Sequence, residues 1–146
     1  MRASPALKSL AVAFAAMAAC AFATGALAQK TQLLVYTALE TDQIKAYEDG
    51  FHKTHPDIDL KWVRDSTGVI TAKLLAEKAN PQADVVMGVA ASSLALLDKQ
   101  GMLQPYAPLN LDAIMAKYRD PKNPPAWWGM DVWGATVCFN TVEAQK

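Results

Sequence analysis

Three times between residues 31 and 99, a short apolar run rich in β-formers gives way to a stretch with helical spacing. That alternation constrains the fold more than any other feature, because strand–helix repeats imply a parallel sheet joined by right-handed crossovers. The first run, residues 31–36 (TQLLVY), is continuous, as expected of a strand covered on both faces. Thr37 and Glu40 then stand three apart, the spacing of a capping box, and a helix is predicted to about His52 with Ile44, Tyr47 and Phe51 inward. His55-Pro56-Asp57 ends it. The second unit is a strand over 58–63 (IDLKWV), a polar turn (Arg64 to Gly68) and a helix over about 69–78. In that helix Ile70, Leu74 and Leu75 face inward, Lys73 and Glu77 form an i,i+4 pair, and Asn80-Pro81 stops it. The third is a strand over 84–89 (DVVMGV), a small-residue turn, and a helix to about Lys99 capped by Ser92 or Ser93, with Gly101 at its end. A short helix over about 111–118, a proline-rich loop and a last apolar segment, 132–140, complete the reading.

The N-terminus is of a different kind. Residues 1–28 carry Arg2 and Lys8, no acid, an apolar run from Leu10 to Phe22, and a small-x-small site at Ala26-Leu27-Ala28. This is the pattern of a secretory signal peptide cut before Gln29. A transmembrane anchor is the bland alternative, but the run is mostly alanine and weakly hydrophobic for a span. Met17-Ala18-Ala19-Cys20 offers a third, less favoured reading, in which Cys20 becomes a lipidated N-terminus and anchors the chain. Beyond residue 28 there are 12 bases against 14 acids, a net charge of −2, so a dedicated nucleic-acid binder is not expected. Cys138 then has no internal partner, and its neighbours Val137 and Phe139 suggest a small buried hydrophobe.

Chemistry is expected beyond the carboxyl ends of the strands. All three ends lead into turns of one kind: Thr37-Ala38-Leu39, Ser66-Thr67-Gly68 and Ala90-Ala91-Ser92-Ser93. Each offers hydroxyls and backbone N–H groups at a helix N-terminus, where partial positive charge favours an anion. Taken singly, such turns are ordinary caps; three on one edge make an anion pocket. Thr37, Ala38, Ser66, Thr67, Gly68, Ala91 and Ser92 are the candidate ligand-binding residues. Glu40 either closes a capping box or faces the pocket to pair with a ligand ammonium, and Asp65 and Asp131 are weaker candidates for that role. His52 and His55 form an H-x-x-H without a third ligand, so no metal site is expected. Trp127, Trp128 and Trp133 either wall a cleft or pack a core. No nucleophile–base signature, P-loop or G-x-G-x-x-G is present, and neither catalysis nor a cofactor is expected.

The leader, LLVYTALE, HPDIDLKWVRDSTGVITAKLLAEK, NPQADVVMGVAASSLALLDKQGML and NPPAWWGMDVWGATVCFNT together resemble the periplasmic solute-binding proteins of bacterial ABC importers. Within them the chain is most similar to the branch of ferric-iron and 2-aminoethylphosphonate binders. The resemblance implies a type II periplasmic-binding-protein lobe, delivery of a small ligand to an inner-membrane ABC permease, and a periplasmic location. Ferric members carry a His in the turn after the first strand; here that stretch is Tyr36 to Glu40, without His, while the DSTG and AASS turns look like those of phosphonate members. The implied ligand is thus a small organophosphonate of the 2-aminoethylphosphonate type, held at Thr37, Ser66, Thr67, Gly68 and Ser92, its ammonium at Glu40. Ferric iron or another oxyanion is the alternative. Members of the family usually have two lobes and more than twice this length. The expected organisation is therefore a leader (1–28), an N-terminal α/β lobe (29–131) and a crossing segment (132–146) toward a second lobe largely absent. A non-functional truncated fragment is the remaining alternative.

Overall fold

A computed structural model describes residues 30–145; the predicted leader, with Cys20, lies outside them. The compact unit Gln32–Lys146 carries the helices and all but the first residue of the sheet. Strands β1 (Thr31–Thr37), β2 (Ile58–Arg64) and β3 (Val85–Met87) form that sheet in the order β2-β1-β3. Helices α1 (Thr41–His52), α2 (Thr67–Ala76) and α3 (Ala91–Lys99) alternate with them, so the α/β reading holds. β1 and β3 run parallel, with Val35 opposite Val85 and Thr37 opposite Met87. Asp84 pins the start of β3 to β1: its backbone N–H donates to the Leu34 carbonyl (2.9 Å), and its carboxylate accepts the Leu34 N–H (2.8 Å).

β1 is central because its sequence is apolar on both faces. Val35 and Tyr36 are each 2% exposed, one on either side. Tyr36, Ile70, Leu74, Val89 and Leu97 form the core cluster, and α2 packs against α3 across it. Ile70 is fully buried, which contributes about 1.5–3 kcal/mol of transfer free energy. On α1 only Ile44 is buried. Tyr47, expected inward, is 43% exposed, because this helix meets its neighbours along the side of Ile44, Glu48 and His52 instead.

Several boundaries differ from those expected. The capping box exists, but one turn later: Glu40 is the N-cap of α1, and the Gln43 side chain accepts its backbone N–H (3.0 Å). α2 starts at Thr67 because Ser66 caps it, accepting the Val69 N–H. α3 starts at Ala91 with Ala90 in the cap position and no side-chain cap, so neither Ser92 nor Ser93 plays that part. Its C-terminus closes in a Schellman motif: Gly101 (φ +69°) donates to the Asp98 carbonyl and Met102 to the Leu97 carbonyl. β3 is cut to three residues by Gly88, whose φ of +65° leaves the strand region. The predicted helix over 111–118 is two 3-10 turns, Leu111–Ala113 and Ala116–Tyr118. Residues 132–140 have no regular structure and are exposed, and Cys138, expected to be buried, is exposed with them. An apolar extended segment needs a ladder partner to be a strand, and the described residues supply none.

Candidate functional site: the rim at the strand ends

The carboxyl ends of the three strands lie side by side, tied by two contacts. The Asp65 N–H donates to the Thr37 carbonyl (3.1 Å), joining the turn after β2 to the end of β1. On the other side Leu39, 4% exposed, packs into the space left by Gly88, joining the turn after β1 to the end of β3. The Thr37, Ser66 and Ala91 turns thus share one rim, as the sequence implied.

Their side chains are engaged unequally. Thr37 is fully buried, and its hydroxyl accepts the Leu39 N–H (3.1 Å), so it shapes the turn rather than presenting a donor. Ala38 is half-buried behind it. Ser66 and Gly68 are exposed, Thr67 is half-buried, and no atom stands within 4 Å of the place where a Gly68 Cβ would be. Asp65 accepts the Ser66 N–H (2.7 Å) and is thereby held as a turn residue. Ala91 and Ser92 are exposed on the first turn of α3, whose leading N–H groups have no partner within the helix. Glu40 is exposed and forms an ion pair with Arg64, whose Nε also donates to the Leu39 carbonyl (2.8 Å).

Leu39, Arg64 and Gly88 were missed by sequence reasoning. The signal for Gly88 was a glycine interrupting an apolar strand run, which often marks a close backbone approach. Arg64 ends β2 and so inevitably reaches the rim.

Other candidate groups do not come to the rim. His52 Nε2 is 3.0 Å from the Ile58 carbonyl, and His55 stacks on Phe51. Among the described residues no group of three or more His, Cys, Asp or Glu side chains stands together as a metal site. A cavity of about 980 Å³ runs along β3 and reaches the rim at Gly88 and Ala91. Trp127, Trp128 and Trp133 line its far wall, as does Asp131. On its near wall the Glu77 carboxylate accepts the Tyr36 hydroxyl (3.0 Å) and pairs with Lys73 (2.6 Å). Lys73 holds the Glu77 carboxyl below its ordinary value, while burial and the Glu77 charge push the Tyr36 phenol up. This triad braces β1 against α2.

Residues 37–140 match the family model described as bacterial extracellular solute-binding protein. The chain belongs to that family. A probable ABC transporter periplasmic-binding protein, y4fP, of Sinorhizobium fredii is 42% identical over 62 residues, 42% of this chain and 17% of that protein. An uncharacterized protein of Haemophilus influenzae is 31% identical over 113 residues, 77% of this chain and 32% of that one. Among solved structures, the periplasmic binding protein AfuA of Actinobacillus pleuropneumoniae, with exogenous fructose-6-phosphate bound, superposes with a TM-score of 0.59 at 30% identity. That match covers 66% of this chain and 30% of AfuA. The Trichodesmium protein IdiA (FutA), in complex with iron and citrate, gives 0.58 at 27% identity, over 67% of this chain and 30% of that one. The chain spans less than a third of the length of each of these relatives. The solved structures share the type II periplasmic-binding-protein fold with it.

Proposed function

We propose that the chain provides the first lobe of the substrate-binding component of an ABC importer, working in the periplasm and passing its ligand to an inner-membrane permease. The ligand is a small organophosphonate of the 2-aminoethylphosphonate type. The observation that carries the reading is the gathering of three helix N-termini on one rim, two of them tied to the central strand by the Thr37–Asp65 and Leu39–Gly88 contacts. A phosphonate head needs several converging donors, and amides at helix starts supply them without an arginine cluster. Ser66, Thr67, Gly68, Ala91 and Ser92 would donate, with Thr37 and Ala38 setting the position of the first turn. Glu40 would receive the ammonium, sharing its charge with Arg64.

A sugar phosphate is the second reading, favoured by the 30% identity to AfuA with fructose-6-phosphate bound. Phosphate monoester and phosphonate present the same oxygen face, so the rim alone suits both. Titration calorimetry of the purified chain with 2-aminoethylphosphonate, fructose-6-phosphate, inorganic phosphate and ferric citrate separates them. Saturable heat is expected with the aminophosphonate, weakened by Glu40→Gln. Heat with fructose-6-phosphate alone would move the assignment to the second reading. Heat with ferric citrate alone, or with none of the four, would reject both.

A further inference from the structure

Arg64, the last residue of β2, reaches across the rim to the turn after β1. Its Nε donates to the Leu39 carbonyl (2.8 Å) and its Nη2 to the Glu40 carboxylate. Both anchors of the guanidinium are themselves held a second time. The Leu39 N–H donates to the Thr37 hydroxyl (3.1 Å), and its side chain packs at Gly88. The Glu40 carboxylate also accepts the Gln43 N–H of the capping box. An exposed ion pair usually contributes little, because two long side chains must be ordered to make it and water screens it. Here the second bonds do the ordering. The two members are unequally open: the Glu40 side chain is 71% exposed and the Arg64 side chain 38%. A ligand at the start of α1 therefore meets chiefly the carboxylate, with its charge already offset by the guanidinium. Every hydrogen bond in the arrangement lies within residues 37–64, so the arrangement is complete within the lobe.

We infer that Arg64 determines which charge type the rim accepts, acting through Glu40 rather than on the ligand. The inference rests on the reading of the rim as an anion site and names what sets the selectivity of that site. With Arg64 in place the pair is neutral. Glu40 then repels a plain oxyanion less, and gives less than its full charge to a ligand ammonium. Without Arg64, Glu40 stands as an uncompensated negative charge beside the amides of the rim. A plain oxyanion is then repelled, while a zwitterion is spared because its own cationic group answers Glu40. Arg64 is thus a positioning residue whose charge, more than its grip on the turn, sets the balance between the two ligand classes.

Titration calorimetry of the full chain compares inorganic phosphate, a plain oxyanion, with 2-aminoethylphosphonate, a zwitterion. Arg64→Gln should weaken phosphate on the order of tenfold, the size of one close charge interaction at a protein surface, and the aminophosphonate by less. Glu40→Gln, the opposite change in charge, should tighten phosphate and weaken the aminophosphonate. The double variant is neutral again and should return phosphate to near the parent's affinity. Arg64→Lys keeps the charge and should keep the parent's ratio of the two affinities. The differences should shrink with added salt, as interactions between exposed charges do. Circular dichroism melts check that each variant folds; if Arg64→Gln does not, Glu40→Gln and Arg64→Lys decide by the same ratio. A residue that only held the turn would weaken both ligands together, and adding Glu40→Gln would not restore phosphate; either result overturns the inference. A parent that binds both ligands, with one ratio across all variants, overturns it too and leaves the anion reading of the rim standing. A parent that binds neither overturns both.

Discussion

Gly88 sits where β3 ends and the rim begins, and two separable constraints keep it glycine. Its φ is +65°, and a Cβ built there would stand 2.6 Å from Leu39 Cδ2, closer than carbon atoms approach. Gly88→Ala therefore incurs about 1–2 kcal/mol for the left-handed backbone and about 1–3 kcal/mol for overpacking Leu39. Gly101 is the internal control: its φ is +69°, but no atom lies within 4 Å of its Cβ position, so Gly101→Ala incurs only the backbone part. Urea unfolding followed by circular dichroism should place Gly88→Ala below Gly101→Ala by the overpacking part, a midpoint difference of about 1 M with slopes of about 1–3 kcal/mol/M. Leu39→Ala separates the parts further. Alone it should cost about 2–5 kcal/mol, as buried leucines do. Combined with Gly88→Ala it should cost less than the two single losses together, since shortening Leu39 makes room for the added methyl and that methyl fills part of the space Leu39 leaves, with a coupling of about 1–3 kcal/mol. If Gly88→Ala is no worse than Gly101→Ala, or the double variant is additive within about 0.5 kcal/mol, then Leu39 does not fill that space and the tie between the β1 and β3 turns fails.

Ile70→Ala empties the centre of the core cluster and should cost about 2–5 kcal/mol in urea unfolding; a loss under about 1 kcal/mol would mean the cluster collapses around it. Ser66→Ala removes the side-chain cap of α2 and should cost about 1 kcal/mol, while weakening anion binding in the same calorimetric assay. Glu77→Gln should change the pH dependence of thermal stability. Lys73 holds the Glu77 carboxyl below its ordinary value, so its stabilisation is present above the unfolded-state pKa of about 4.3 and is lost as pH falls through the lower folded-state value. Between about pH 5 and 3 the parent should thus lose more melting temperature than Glu77→Gln. Identical slopes would show that the Lys73–Glu77–Tyr36 triad carries no linkage.

Periodicity made the alternation of strands and helices legible, along with the core positions Ile70 and Leu74 and the Lys73–Glu77 pair. These are decided within one element, by spacing alone. The misjudged features depend on what lies across space. Tyr47 fits an inward stripe, but burial needs a neighbour, and α1 meets its neighbours along the side of Ile44, Glu48 and His52 instead. Ser92 and Ser93 look like caps, yet the helix starts ahead of both, at Ala91, with Ala90 at the N-cap and no side-chain cap. Cys138 and its neighbours have the composition of a strand, but that composition becomes structure only with a partner edge. At the rim, the sequence named the three turns and left out what joins them. Leu39 lies inside a turn read as ligand-facing, and Arg64 was read as the first residue of a polar turn rather than the last of β2, so neither was weighed for its reach.

The three helix starts on the rim are not equivalent, and the difference sharpens the proposed function. α1 begins at Glu40, where a carboxylate already satisfies the positive end and repels an incoming anion. α2 begins at Ser66, whose hydroxyl takes one amide and leaves the others. α3 begins at Ala90 with no side-chain cap, so an anion arriving there displaces water and breaks no internal bond. Most of the anion's stabilisation should therefore come from α3. Ala90→Asp tests this by building a cap into the protein. It should stabilise the fold by about 0.5–2 kcal/mol, since aspartate is among the preferred capping residues and alanine is not. It should also place a permanent negative charge over the Ala91 and Ser92 amides. Stability and affinity should thus move in opposite directions: the urea midpoint rises while calorimetric heat with 2-aminoethylphosphonate disappears. A variant that is more stable and still binds the anion unchanged would show that the ligand does not rest on α3.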